Sequence, residues 1–84
     1  MENQTLIEIM EKMLAGNKFS ALKELLTEMN VVDIAQAMEG MDAENQLRIF
    51  RLLPKDSSAD VFSYLDSDVQ SVIVDAITSS ELKI

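Results

Sequence analysis

A twelve-residue repeat runs through the chain from Asn30 onward, and it limits the fold more than any other feature. The units are NVVDIAQAMEGM (30–41), DAENQLRIFRLL (42–53), PKDSSADVFSYL (54–65) and DSDVQSVIVDAI (66–77), followed by the start of another, TSSELKI (78–84). Each unit opens on a residue that favours the start of a helix, namely Asn30, Asp42, Pro54, Asp66 and Thr78. Self-similarity at a fixed period is typical of stacked repeat proteins.

Three positions of each complete unit carry apolar residues. The eighth position holds Ala37, Ile49, Val61 and Ile73; the ninth holds Met38, Phe50, Phe62 and Val74; the twelfth holds Met41, Leu53, Leu65 and Ile77. A unit of this length accommodates a helix of about two to three turns and a tight connection, and such a helix is too short to be stable alone. The repeat therefore predicts an all-α fold in which short helices cover one another's apolar faces.

Two more helices are predicted before the repeat, at about residues 5–14 and 18–29. Helical spacing selects the apolar stripes Leu6, Ile9, Met10 and Met13 in the first, and Phe19, Leu22, Leu25, Leu26 and Met29 in the second. Gly16 and Asn17 separate them, as residues that tolerate the backbone conformation of a helix end. A further helix is expected at Thr78, because TSSE has capping-box spacing. We therefore predict a superhelical, solenoid-like bundle of about seven short helices, in a natural chain that continues past Ile84.

The composition disfavours several classes of protein. The 84 residues contain no cysteine and no histidine, which excludes disulfides and Cys/His zinc sites. Fifteen acidic against seven basic residues give a net charge of −8, so we expect no binding to nucleic acid or to anionic membranes. No apolar run approaches the roughly 18 residues that cross a bilayer, and the first residues lack a signal-peptide pattern. We predict a single domain over residues 1–84, excised from a longer chain.

Catalytic chemistry has little support in the sequence. The serines have no imidazole to activate them, and the two glycines form no phosphate-binding loop or nucleophile elbow. General acid–base work by a pair of carboxylates stays open in principle, but nothing predicts a cleft around one. We therefore predict that the chain is not an enzyme.

The acidic residues suggest a metal site. Six acids and no lysine or arginine lie between Asp56 and Glu81. Asp56 and Asp60 have i, i+4 spacing, which would let them share one hydrated Mg²⁺, a cation that prefers oxygen ligands and retains several waters. The alternative is that both are solvated surface acids, with Asp56 stabilised by the positive end of a helix dipole.

Asp66 and Asp68 begin like a calcium loop of the EF-hand type. However, that loop needs glycine at its sixth position and glutamate at its twelfth, where this chain has Ser71 and Ile77. We therefore interpret Asp66 as a helix cap and Asp68 as a first-turn acid.

One basic cluster interrupts the acidic sequence, formed by Arg48, Arg51 and Lys55. Two interpretations stay open. These side chains pair locally with Asp42, Glu44 or Asp56, or they contact an acidic partner domain.

The order and spacing of several short motifs resemble the cytoplasmic N-terminal domain of MgtE magnesium transporters. The motifs are RLLP at 51–54, ADVF at 59–62 and YLD at 64–66, preceded by GNKFSALKELLTEMNVVDIA at 16–35. The resemblance covers about residues 14–77. One departure is Ser67-Asp68, where the family usually has Pro-Glu.

This resemblance implies a right-handed superhelix on the cytoplasmic side of the cell membrane. In the longer polypeptide it would be followed by paired CBS domains, a connecting helix and a membrane pore domain, and the full-length protein would be a homodimer. Intracellular Mg²⁺ would bridge acids of this domain to the CBS domains and favour the closed channel. The acid of the ADVF motif carries over to Asp60 alone.

A different class of function is a metal-free protein–protein interaction module. The helical repeats of the flagellar motor switch protein FliG are similar in length and also carry leucine–proline junctions. The sequence after Ile84 would distinguish the two, since CBS-like strands and a pore domain favour the transporter.

Overall fold

The computed structural model describes residues 3–82. Over this range the chain forms six helices and no strand: α1 (Asn3–Ala15), α2 (Phe19–Glu28), α3 (Val31–Glu39), α4 (Ala43–Leu52), α5 (Lys55–Tyr64) and α6 (Ser67–Leu82). The predicted all-α bundle is confirmed, with six helices where about seven were expected.

The difference in number arises at Thr78, which lies inside α6 rather than at the start of another helix. At three earlier junctions the chain leaves the helix through an extended residue, for example Leu53 at φ −66° and ψ 142°. Pro54 enforces that conformation, because a proline disfavours the α region for the residue before it. Helices α2 and α5 also end, at Met29 and Leu65, without a following proline or glycine, so the continuation of α6 through Thr78 has no local explanation in the sequence.

The predicted helix starts at Asn30 and Asp42 are confirmed by their hydrogen bonds. The Asn30 side chain accepts a hydrogen bond from the Val32 amide at 3.0 Å. The Asp42 carboxylate accepts one from the Asn45 amide at 2.9 Å. Each cap satisfies a first-turn amide that has no partner within its own helix.

The predicted break at Gly16 and Asn17 is also confirmed, and its geometry is that of a Schellman motif. Asn17 has a positive φ of 57°. The Lys18 amide donates to the Met13 carbonyl at 2.9 Å, and the Asn17 amide donates to the Leu14 carbonyl at 3.2 Å. Asparagine is one of the few residues that tolerate this left-handed conformation.

Helices two apart in sequence pack against each other along the whole chain: α1 on α3, α2 on α4, α3 on α5 and α4 on α6. The eighth repeat position lies at the centre of this stack, since Ala37, Ile49 and Val61 are fully buried and Ile73 is 1% exposed. Three of the twelfth-position residues, Met41, Leu53 and Leu65, are also buried. The eighth and twelfth positions therefore mark the core, whereas the ninth does so only in part, since Met38 is fully buried but Val74 is 48% exposed.

Of the two helices before the repeat, α1 is rotated relative to the predicted face, whereas α2 buries the predicted face except at Phe19. α1 buries Ile7, Met10 and Leu14, while Ile9 is 38% exposed. α1 carries apolar residues at adjacent helical positions, so spacing alone does not choose between faces, and packing against three other helices does. In α2, Phe19 is 40% exposed although Leu22 and Leu26 are buried.

Two glutamines at the fifth repeat position form the same kind of hydrogen bond across a junction between consecutive helices. Gln46 is the only buried polar side chain among the described residues, and its Nε2 donates to the carbonyls of Met38 and Met41, each at 3.0 Å. Gln70, two units later, donates through Nε2 to the Phe62 carbonyl at 2.8 Å. In both cases the acceptor is the ninth residue of the preceding unit, so the glutamine joins one helix to the end of the helix before it.

Candidate functional site

α5 places both predicted metal ligands on its exposed side. The helix begins after Pro54, whose fixed φ of −58° suits a helix start. Asp56 lies in the first turn and Asp60 one turn later, and both are exposed. Val61, the next residue, is fully buried, so the packing of α5 holds the two carboxylates outward.

Three serines near these acids are engaged with the backbone of α5. Ser57 Oγ donates to the Pro54 carbonyl at 3.4 Å, and Ser58 Oγ donates to the Lys55 carbonyl at 3.2 Å. Ser63 Oγ donates to the Asp60 carbonyl at 2.8 Å. These local bonds occupy the hydroxyl protons, so within the described part of the chain the carboxylates of Asp56 and Asp60 accept no hydrogen bond.

The two carboxylates do not form a complete metal site. Among the described residues, no group of three or more His, Cys, Asp or Glu side chains is placed to hold a metal ion. Mg²⁺ is often bound in proteins by only one or two carboxylates, with waters and other oxygen atoms completing its octahedron. Asp56 and Asp60 could thus supply part of a coordination shell, and water or a second surface would have to supply the rest.

Asp66 and Asp68 lie where helix-start residues are expected. Asp66 immediately precedes α6, and its carbonyl accepts from the Gln70 amide at 2.9 Å. Its own amide donates to Glu39 Oε2 at 3.0 Å, which connects the end of α3 to the beginning of α6. Asp68 lies in the first turn of α6. The contact with Glu39 was not predicted, because nothing in the repeat marks a residue 27 positions away as its partner.

The basic cluster does not form the local ion pairs that were one of its two interpretations. Arg48, Arg51 and Lys55 are exposed, and none of them forms an ion pair with any described residue. The Asp42 carboxylate instead caps α4. Arg48 and Arg51 line an open groove of about 270 Å³ together with Phe19 and Leu52.

Comparison with known proteins identifies the family to which the domain belongs. The model of the family described as MgtE intracellular N domain matches residues 29–84. The chain belongs to this family. No curated protein and no solved structure matches it.

The match begins one residue before the twelve-residue repeat, so the repeat is the part of the chain that the family model describes. The predicted resemblance to the MgtE N-terminal domain is confirmed. Membership associates the chain with a magnesium transporter and its regulation, not with a family of enzymes. No described helix of this MgtE N domain is both long and apolar enough to cross a membrane.

A second acidic pair of the chain has the same spacing as Asp56 and Asp60. Glu24 and Glu28 are exposed on α2 and, with Thr27, line another open groove of about 360 Å³. Thr27 Oγ1 donates to the Lys23 carbonyl at 2.8 Å. This pair lies outside the residues matched by the family model, and it is therefore a natural control for any effect of charge and spacing alone.

The groove was not predicted, because the helical spacing of Phe19 indicates a core position. The signal was ambiguous, since the spacing of Phe19, Leu22 and Leu26 fits one helical face. Phe19 is the first residue of α2, and the start of a helix need not lie over the core that its later turns cover.

Proposed function

We propose that this MgtE N domain regulates magnesium transport by sensing intracellular Mg²⁺ through Asp56 and Asp60. The ion would be held at an interface with CBS domains of the same longer polypeptide, and its binding would favour the closed state of the pore. One observation carries the proposal: two exposed carboxylates with no described partner lie one turn apart on α5, and residues 56–81 after Lys55 include no lysine or arginine.

Asp56 and Asp60 place two negative charges one helical turn apart. Two like charges about 4 Å apart repel by about 1 kcal/mol in bulk water, and more where water is partly excluded. A second acidic surface that approaches α5 therefore meets an unfavourable field from Asp56 and Asp60. A divalent cation between the surfaces reverses the sign of that interaction, because it attracts both of them.

Such an ion acts on a gate only through its difference in affinity between two states. Mg²⁺ would bind more tightly when carboxylates from both surfaces contribute to the site, and it would thereby favour the docked arrangement. A coupling free energy of about 1–3 kcal/mol changes the ratio of docked to undocked states by about 5-fold to 150-fold. The pair on α5 need not bind Mg²⁺ strongly by itself for this to work.

The proposed site also requires a particular location and particular partner domains. The domain would lie on the cytoplasmic side of the cell membrane, with the CBS domains and the membrane pore domain as its partners, in a homodimeric full-length transporter. Mg²⁺ would be a shared and weakly held ligand of the domain.

A metal-free interaction module of the kind seen in the repeats of FliG is the second candidate. The groove between α2 and α4 favours it, because Phe19 and two arginines without ion partners are features of a binding surface. Under this alternative Asp56 and Asp60 are solvated surface acids.

Changes in the backbone amide chemical shifts of the ¹⁵N-labelled chain distinguish a Mg²⁺ sensor from a metal-free interaction module. The chain is titrated with Mg²⁺ at fixed ionic strength, with Na⁺ as the control ion. We expect weak, saturable shifts at residues 55–61, lost in the Asp56→Asn/Asp60→Asn variant and retained in the Glu24→Gln/Glu28→Gln variant. Shifts that Na⁺ reproduces, or that are equal at the two acidic pairs, would reject Mg²⁺ binding by α5 in this chain.

A further inference from the structure

The groove between the start of α2 and the end of α4 is a second surface with chemistry of its own. It has a volume of about 270 Å³ and is lined by Phe19, Arg48, Arg51 and Leu52. We propose that it is a docking site for a short acidic protein segment that carries an apolar side chain among its carboxylates. The surface lies on α2 and α4, whereas the proposed Mg²⁺ site lies on α5, so the two proposals can fail separately.

The apolar part of the groove is unusual for this chain. Phe19 is one of four large hydrophobic side chains that are exposed among the described residues, and it is 40% exposed. Leu52 is half-buried beside it and also packs against the core. A partner that inserts an aromatic or aliphatic side chain here would remove apolar surface from water.

The polar part of the groove is cationic in a chain of net charge −8. Arg48 and Arg51 are one helical turn apart on α4, and within the described residues neither guanidinium has an ion partner. Guanidinium groups bind carboxylates through two parallel hydrogen bonds, and they also stack on aromatic rings. Arginine and aromatic residues are the types enriched at the centres of protein interfaces.

Charge and shape favour a short acidic peptide over other anions. Nucleic acid and anionic membranes present many phosphates over a wide area, which the net charge of −8 would repel outside the groove. Two arginines bind only a few carboxylates, and the apolar floor adds a preference that a phosphate cannot satisfy. A second copy of the chain also carries −8, so it is disfavoured as the occupant.

The test uses the full ¹⁵N-labelled chain and the capped hexapeptide EEFEEL as the probe. We expect saturable shifts at the amides of Phe19 and residues 48–52. The peptides QQFQQL and EEAEEA should each bind at least about fivefold more weakly, since one lacks the charge and the other the apolar anchor. Replacing Na⁺ with Mg²⁺ at matched ionic strength should not strengthen binding.

Variants of the chain complete the test. Arg48→Gln/Arg51→Gln should weaken EEFEEL binding about fivefold or more, and Phe19→Ala should do the same. Lys12→Gln, which removes an exposed charge on α1, and Asp56→Asn/Asp60→Asn should bind as the original chain does. These last two variants separate the groove from general charge effects and from the proposed Mg²⁺ site.

Three outcomes would overturn the proposal. The first is no saturable shift at millimolar peptide, and the second is binding that the double arginine variant leaves unchanged. The third is movement of the same amides when the chain is diluted without peptide, which would assign the groove to a second copy of the chain.

Discussion

The rings of Phe50 and Phe62 meet edge to face, with their centroids 6.0 Å apart and their planes at 64°. Both occupy the ninth position of the repeat, in consecutive units, on α4 and α5. The contact links two consecutive units, whereas the main packing of the stack is between helices two apart, such as α3 on α5 and α4 on α6.

This ring contact should be measurable as a coupling between the two residues. Edge-to-face aromatic pairs contribute about 0.5–1.5 kcal/mol beyond the area they bury. The free energy of unfolding in urea is measured for the original chain, for Phe50→Leu, for Phe62→Leu and for the double variant. We expect the loss in the double variant to differ from the sum of the two single losses by about that amount. Additivity within about 0.3 kcal/mol would mean that the rings act independently.

The glutamines of the fifth repeat position should differ in their effect on stability. Gln46 is buried and donates to two carbonyls, whereas Gln70 is half-buried and donates to one. Gln46→Leu should therefore lower the free energy of unfolding by about 1–3 kcal/mol, because it removes the hydrogen bond to the Met41 carbonyl in a dry environment.

Gln70→Leu is the matched comparison, at the same repeat position two units later. It should cost about 0.5–1.5 kcal/mol, since water can reach part of its surroundings. If urea unfolding shows that the two variants lose the same free energy of unfolding, or that Gln70→Leu loses more, then burial does not set the cost of losing each glutamine.

The two glycines should respond in opposite directions to alanine. A Cβ at Gly40 would overlap the Cδ1 atom of Ile7, which is 4% exposed and has little room to move. Gly40→Ala should cost about 1–3 kcal/mol, as overpacking does.

At Gly16 the nearest atom to an added Cβ is the Lys12 carbonyl oxygen at 3.4 Å, and φ is not positive. Gly16→Ala should leave the free energy of unfolding unchanged or raise it by up to about 1 kcal/mol, because alanine restricts the unfolded chain. Destabilisation of the same size in both variants would show that local backbone freedom, not the contact with Ile7, governs Gly40.

Position 17 should tolerate glycine better than alanine. Its φ of 57° lies in the left-handed region, which costs most L-residues about 1–2 kcal/mol. Asn17→Ala should lower the thermal midpoint by about 4–8 °C for each kcal/mol lost, and Asn17→Gly should be at least as stable as Asn17→Ala. A higher midpoint for alanine than for glycine would mean that the Schellman geometry is not maintained in solution.

The repeat made the fold predictable because its period is tied to packing. Asn30 and Asp42 begin helices where the pattern placed them, and Ile49 and Val61 are buried at the position it marked. The pattern does not identify the buried face of a helix that has apolar residues on more than one side. Ile9 and Phe19 were predicted to be buried, but both are exposed. Distant contacts such as Glu39 with Asp66 depend on how helices stack, which periodicity does not encode.

The candidate site was predictable only in part, for a related reason. The i, i+4 spacing of Asp56 and Asp60 placed both acids on one face of a helix, and the structure shows them exposed on α5. Whether that face meets a partner depends on surfaces outside these 84 residues, so spacing gives the pair but not its function. Arg48 and Arg51 show the converse, because their lack of local ion pairs emerged only from the structure.

Mg²⁺ sensing by Asp56 and Asp60 is tested most directly by the proposed magnesium-dependent closure of a full-length transporter. Cation flux is recorded against the Mg²⁺ concentration on the cytoplasmic side for the original protein, for Asp56→Asn/Asp60→Asn and for the matched pair Glu24→Gln/Glu28→Gln. We expect the α5 variant to need at least about fivefold more Mg²⁺ for half-maximal closure, and the α2 variant to close as the original does. The same midpoint in all three proteins would contradict Mg²⁺ sensing by Asp56 and Asp60.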